Sequence, residues 1–211
     1  MSCDINYKNL KKIEADISKI SNVNLMIVTK NRSVDTVREL ILNGYKIYGE
    51  NKVQEANGKF QNLQKLHDIH LHLIGPLQSN KVKVALNLFD TIQTIDRPKI
   101  INEICKFDLS QIKTKSFFIQ VNIGKEEQKS GVKPDDLKTI YELAKVNNLN
   151  IVGLMCIPPN NNSPEIYFKK MIDLRDELDK NLQLSMGMSG DYKTALKFDT
   201  NLIRIGSLLF N

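Results

Sequence analysis

Lys30 closes an apolar run, "NLMIVTK" (residues 24–30), in which Leu25, Met26, Ile27 and Val28 leave no polar face. Such a run reads as a buried strand. A lysine at its end either marks the surface or is an amine held at the mouth of a pocket. There it could contact a phosphate as a point charge or condense with an aldehyde. Two other stretches carry complementary chemistry. "SMGMSG" (residues 185–190) and "RIGS" (residues 204–207) combine hydroxyls with glycines, and glycine lets backbone N–H groups approach an anion. Ser189, Gly206 and Ser207, with Arg204 beside them, would form a cup suited to a phosphate, and Asp191 would open a helix whose N-terminus favours negative charge. Taken singly, each loop is equally well an ordinary turn.

The remaining reactive residue types offer less. His67, His70 and His72 form H-x-x-H-x-H, and His70 and His72 would share a strand face. No acidic or Cys partner stands at ligand spacing, so no metal is expected and His72 reads as a pocket residue. Cys3, Cys105 and Cys156 are scattered and odd in number, which argues against a disulfide framework.

These residues need elements to position them. Eight short apolar runs alternate with amphipathic segments: "LMIVT", "KIYGEN", "LHLIG", "TIQTID", "SFFIQVN", "IVGLMCIP", "LSMGMS" and "LIRIGS". Eight strand–helix steps without a Gly/Ser linker predict an α/β fold, a single (β/α)8 TIM barrel. The rival is an open doubly wound sheet, which normally has fewer strands and a Gly-rich first turn; "TKNRS" has no glycine. "SVDTVRELILNG" predicts a helix with Ser33 as N-cap, an apolar face of Val34, Val37, Leu40 and Ile41, and Gly44 beyond its end. "KPDDLKTIYELAKVNN" and "SPEIYFKKMIDLRDELDK" predict helices with Pro134 and Pro164 near their first turns, and Ser79 of "QSNK" reads as an N-cap. No helix is expected after the eighth strand. The segment "NYKNLKKIEADISKIS" before the first strand is therefore expected to pack in the eighth helix's place and close the barrel wall. This gives one domain over residues 1–211, with residues 1–23 as the N-terminal helix and 24–211 as the barrel.

In such a barrel the site forms at the C-terminal strand ends. Position alone selects Lys30, Asn51, His72, Asp96, Asn122, Pro158 and the two Gly/Ser loops. The 30 basic against 24 acidic residues leave a net charge of +6, but they are dispersed and interleaved, without a basic run. A nucleic-acid partner is thus not expected, although the surplus suits anionic ligands. No stretch approaches the roughly 18 apolar residues of a membrane helix. The N-terminus lacks an apolar signal region, so a cytoplasmic location is expected.

The motifs "VTKN", "GYKIYGENKVQEA", "HLIGPLQSNK", "TIDR", "VNIGKEEQKSGV", "GLMCIP", "LSMGMSGD" and "IRIGSLLF" resemble, in order and from about residue 25 onward, the pyridoxal phosphate (PLP) homeostasis proteins, the YggS or PROSC family. The resemblance implies a barrel like the N-terminal domain of alanine racemase. It implies a PLP carrier or regulator that buffers or delivers the cofactor, to apo PLP-dependent enzymes among its partners, as a monomer and without substantial turnover. It implies PLP held as a Schiff base on Lys30, with Asn51 and His72 on the ring's side. Ser189, Gly206 and Ser207 would hold the phosphate with Met186 and Met188 close by, and Arg204 would face the pyridine nitrogen. The chain departs from the pattern at Gly190, where the family has an acidic or amide residue, and at Ser207, where many members have Thr. The alternative is a PLP-dependent racemase-like enzyme. In the racemase, a second acid/base group comes from a C-terminal β domain, for which no sequence follows the barrel here. A phosphate-binding barrel enzyme without a Schiff base is a third reading.

Overall fold

The computed structural model describes residues 5–160 and 163–210; Cys3 lies outside them. Eight parallel strands close into a barrel in chain order: β1 (Asn24–Val28), β2 (Ile47–Glu50), β3 (His70–Leu73), β4 (Thr91–Ile95), β5 (Ser116–Val121), β6 (Ile151–Cys156), β7 (Gln183–Met188) and β8 (Leu202–Ile205). Closure is made by β8 on β1, with Asn24 opposite Leu202 and Ile27 opposite Ile205. The open doubly wound alternative is thereby excluded. The wall carries α1 (Tyr7–Ile17), α2 (Val34–Leu42), α3 (Val53–Leu66), α4 (Val82–Leu88), α5 (Pro98–Ile104), α6 (Leu137–Val146), α7 (Pro164–Leu178) and α8 (Tyr192–Ala195).

The helices form where local signals and apolar stripes agree. Ser33 caps α2 by accepting from the Thr36 amide at 3.1 Å, and Gly44 takes the left-handed φ of +88° beyond its end. Val37, Leu40 and Ile41 of α2, and Leu137, Ile140, Tyr141 and Ala144 of α6, are buried against the outer faces of the strands. One helix start differs from the sequence expectation, that at Ser79, and both it and the start at Pro134 have a tight lead-in turn. Ser79 lies inside a 3-10 turn (Ser79–Lys81) that precedes α4, and Pro134 begins another (Pro134–Asp136) that precedes α6. Tight single turns are common lead-ins to α-helices, and proline's missing N–H costs nothing at such a start.

The N-terminal helix closes the wall as expected. Leu10 and Ile13 of α1 are fully buried. Tyr7 donates to Glu39 of α2 at 2.7 Å, while Tyr192 of α8 donates to Asp16 at 3.0 Å. The Asn9 side chain and the Asn6 amide bond the carbonyls of Leu208 and Leu209, both at 2.8 Å. α1 therefore sits between α8 and α2, over the seam of β8 and β1.

One irregularity governs the site. Ser185 pairs with Leu202 and Met188 with Arg204, so β7 has two residues, Met186 and Gly187, where β8 has only Ile203. This is a β-bulge, and Gly187 carries the positive φ of +97°.

Candidate functional site

The strand ends converge on a cavity of about 340 Å³ lined by Val28, Lys30, Asn51, Ile74, Ile157, Met188, Ser189, Gly190, Arg204, Gly206 and Ser207. That volume is at the small end of the roughly 300–1,000 Å³ typical of small-molecule sites. Of the six barrel strands that frame it, four (β7, β8, β1 and β2) are consecutive around the β8–β1 seam, so one pocket gathers Lys30, Asn51, Ser189, Arg204, Gly206 and Ser207.

The residues expected to hold a phosphate have a defined geometry. The amides of Gly206 and Leu208 both point at the Ser189 hydroxyl, at 3.4 and 3.3 Å. These are long bonds, and converging backbone donors are what anion-binding concavities are built from. A Cβ on Gly206 would stand 3.3 Å from the Cβ of Val28, so the close approach of β8 to β1 favours a residue without one. Asp191 opens α8 as its N-cap, as expected, but the helix end adds little to an anion site. Its carboxylate accepts from the Met188 amide at 2.6 Å, and α8 is a single turn, too short for a substantial macrodipole. The amides that converge beside the cavity are those after β8. Gly190 has open space around its Cβ position and no left-handed φ, so neither packing nor backbone requires glycine there.

Arg204 lies on the floor. It is 3% exposed; one terminal nitrogen donates to the carbonyl and hydroxyl oxygens of Ser185 at 2.6 and 2.9 Å, the other to the Cys156 carbonyl at 2.7 Å. Burial lowers its pKa, while Cys156 and Asp191 act the other way. The Ser185 hydroxyl donates to Gln93 Oε1 at 2.7 Å, and Gln93 Nε2 stands 3.0 Å from His72 Nδ1. β7 and β4 are not neighbours, so this chain of bonds crosses the barrel interior. Gln93 accepts from Ser185 and donates to His72, which assigns Nδ1 as an acceptor and the imidazole as neutral. Burial, with a smaller contribution from His70, takes the His72 pKa down to about 3.

His72 and Met186 are thus not brought to the cavity lining. His72 is tied to Gln93 below it, and Met186 is fully buried in the apolar layer outside the barrel. Strict alternation would put Met186 and Met188 on one face. The bulge breaks it and aims Met188 inward. Asn122 and Asp96, selected by position, are used elsewhere: Asn122 bonds the Glu126 amide and carbonyl, and Asp96 pairs with Arg97. Cys156 is fully buried, and that burial pushes its thiol up to about 12, which removes it as a nucleophile. Ile74 and Ile157 were missed; each immediately follows a strand at the inward phase of its alternation. Among the described residues, no three His, Cys, Asp or Glu side chains are grouped to hold a metal ion.

A closed parallel barrel whose first strand ends on a pocket lysine, with a backbone-lined anion cup after its last strand, defines the barrel class of alanine racemase. Residues 4–211 match the family described as alanine racemase, N-terminal domain. The chain belongs to that family and, within it, to the pyridoxal phosphate homeostasis proteins. The protein of that name from Aquifex aeolicus is 39% identical over 195 residues, covering 88% of this chain and 85% of the relative. That from Buchnera aphidicola subsp. Schizaphis graminum is 36% identical over 230 residues, covering 98% and 96%. The structure of PipY from Synechococcus elongatus with PLP bound has a TM-score of 0.83 at 29% identity, covering 97% of this chain and 99% of PipY. Alanine racemase from Corynebacterium glutamicum, at 14% identity and a TM-score of 0.70, shares the fold over 60% of its length.

Proposed function

We propose that this chain binds pyridoxal 5'-phosphate, with Lys30 as the covalent attachment point, and buffers or delivers it without substantial turnover of its own. The observation that carries the reading is that Lys30, the anion cup and the buried Arg204 line one cavity. The PLP-bound PipY structure and the relatives' names support it. When bound, PLP supplies an aldehyde with which a primary amine condenses. The chain's part is then binding and orientation. Ser189, Gly206, Ser207 and the converging amides hold the phosphate. Val28, Ile74, Ile157 and Met188 supply apolar walls, and Asn51 a polar edge. Arg204, a permanent donor, presents a cation rather than a carboxylate toward the ring, and so withholds the partner that would keep a pyridinium protonated.

The same lining supports a carrier over an enzyme. Among the described lining residues, Lys30 is the sole side chain of a type that ordinarily serves as a general acid or base; no Tyr, His, Cys, Asp or Glu faces it there. A racemase needs a second such group. We read residues 1–211 as one PLP-binding unit, and apo PLP-dependent enzymes as its recipients.

The test is spectroscopic. Adding PLP to the purified protein is expected to produce a visible absorption band, and borohydride reduction should then fix one cofactor mass on the peptide containing Lys30. Lys30→Ala should lose both. Equal spectra for wild type and variant would make Lys30 an ordinary surface lysine. Steady amino-acid racemisation abolished by Lys30→Ala would make the protein an enzyme.

A further inference from the structure

Beneath the turn that bears Lys30 lies a charged cluster that the cavity does not use. Lys59 of α3, 7% exposed, donates to three oxygens: the Thr29 carbonyl at 2.6 Å, Glu50 Oε1 at 2.7 Å and Glu55 Oε1 at 2.7 Å. An ammonium has three protons, so all are committed. Thr29 also donates its hydroxyl to Glu50 Oε1 at 2.7 Å, and the Asn31 amide donates to Glu55 Oε1 at 2.5 Å. Asn31 has a left-handed φ of +59°, which asparagine tolerates better than most residues and which turns its amide to Glu55. The residues on both sides of Lys30 are therefore fastened to one cluster, whose members come from the end of β2 and the first two turns of α3. The Lys30 side chain is left to the cavity.

The cluster is a poor device for stability alone. Glu50 is fully buried, and its second oxygen, Oε2, has no hydrogen-bond partner among the described residues. Burial raises its pKa against the opposing pull of Lys59 and Thr29. For Glu55, burial acts to raise the pKa, but the bonds from Lys59 and the Asn31 amide outweigh it and leave it lowered. Buried ion pairs with an unsatisfied lone pair are commonly matched or bettered by apolar packing of the same volume. What apolar packing could not do is fix the backbone at both neighbours of one lysine.

We propose that Glu50, Glu55 and Lys59 are positioning residues that clamp the Thr29–Arg32 turn and hold the Lys30 amine at the place where an aldehyde in the cavity can reach it. The inference rests on the PLP reading above. Its test compares PLP with pyridoxine 5'-phosphate, which has the same phosphate and ring but an alcohol in place of the aldehyde. Affinities for both are measured on wild type, Glu55→Ala, Thr29→Val and Thr29→Ser. Amide hydrogen exchange of a peptide spanning residues 29–33 is followed in the PLP-free proteins. Glu55 is partly exposed, so its variant is expected to fold even if a change at Glu50 does not.

The expected result is at least a tenfold loss of PLP affinity in Glu55→Ala and Thr29→Val. Pyridoxine 5'-phosphate affinity should stay within twofold, exchange in the turn should be faster, and Thr29→Ser should behave as wild type. Equal losses for both ligands, or no loss for either, would reduce the cluster to a structural anchor and overturn the proposal. If wild type binds the two ligands equally, the attachment at Lys30 fails and the proposal with it. The exchange data then still report whether the turn is clamped.

Discussion

At the residue scale, His72 shows how burial decides a side chain's chemistry. From its type and place it could be a ligand, a base or a pocket wall. Its bond to Gln93 and its burial leave it a neutral acceptor with a pKa near 3. An unfolded histidine titrates near 6.5, so between these values the unfolded chain binds one more proton than the folded one. Stability from this group is then fully present above about pH 6.5 and falls as the pH is lowered. At about 1.4 kcal/mol per pH unit, acidification from pH 6.5 to 5 should cost about 2 kcal/mol. Urea unfolding of wild type and His72→Asn at pH 7 and pH 5 checks this. The variant starts less stable but should lose about 2 kcal/mol less on acidification. An equal pH loss in both would mean that His72 is not held neutral.

At the element scale, the β7 bulge decides which methionine meets the cavity. Gly187 is confined there twice over: its φ is +97°, and an added Cβ would stand 2.6 Å from the Cβ of Ala195 in α8. Gly187→Ala should lower stability by about 1–3 kcal/mol in thermal or urea unfolding, through strain and through displacement of α8. Gly190, three residues on, is the contrast. Nothing lies within 4 Å of its Cβ position and its backbone is not left-handed. Gly190→Ala should be neutral or stabilising by about 0.5 kcal/mol, since alanine has less unfolded-state freedom to lose. A large loss in Gly190→Ala would show that this departure from the family pattern serves the loop's conformation.

At the scale of the whole molecule, the β8–β1 pairing closes the barrel and the first helix packs over it. α1 covers the seam of β8 and β1, and its ties to Leu208 and Leu209 hold the segment that follows the cup. Leu10 is fully buried in that contact. Leu10→Ala should cost about 2–5 kcal/mol, read from urea unfolding at neutral pH. A loss under 1 kcal/mol would mean that α1 merely lies against the wall. No helix of the described residues is long and apolar enough to cross a membrane.

The strand count, the strand order and the placing of Lys30, Ser189, Arg204, Gly206 and Ser207 were legible in the amino-acid sequence because each rests on a short-range regularity. Buried parallel strands show as unbroken apolar runs, and a barrel puts their ends together whatever their side chains are. Asn51 followed from the same rule. What required the tertiary structure were the features set by contacts between distant segments. The bulge that turns Met186 away and Met188 inward arises from the pairing of β7 with β8, to which alternation along β7 is blind. The bond that takes His72 out of the lining comes from β4, and the clamp around Lys30 from β2 and α3. The amides that converge on Ser189 follow β8 rather than belonging to α8, because it is the meeting of the β7 and β8 loops that brings them there. Position in a strand is local and readable; the direction in which a side chain finally points depends on what the rest of the chain places beside it.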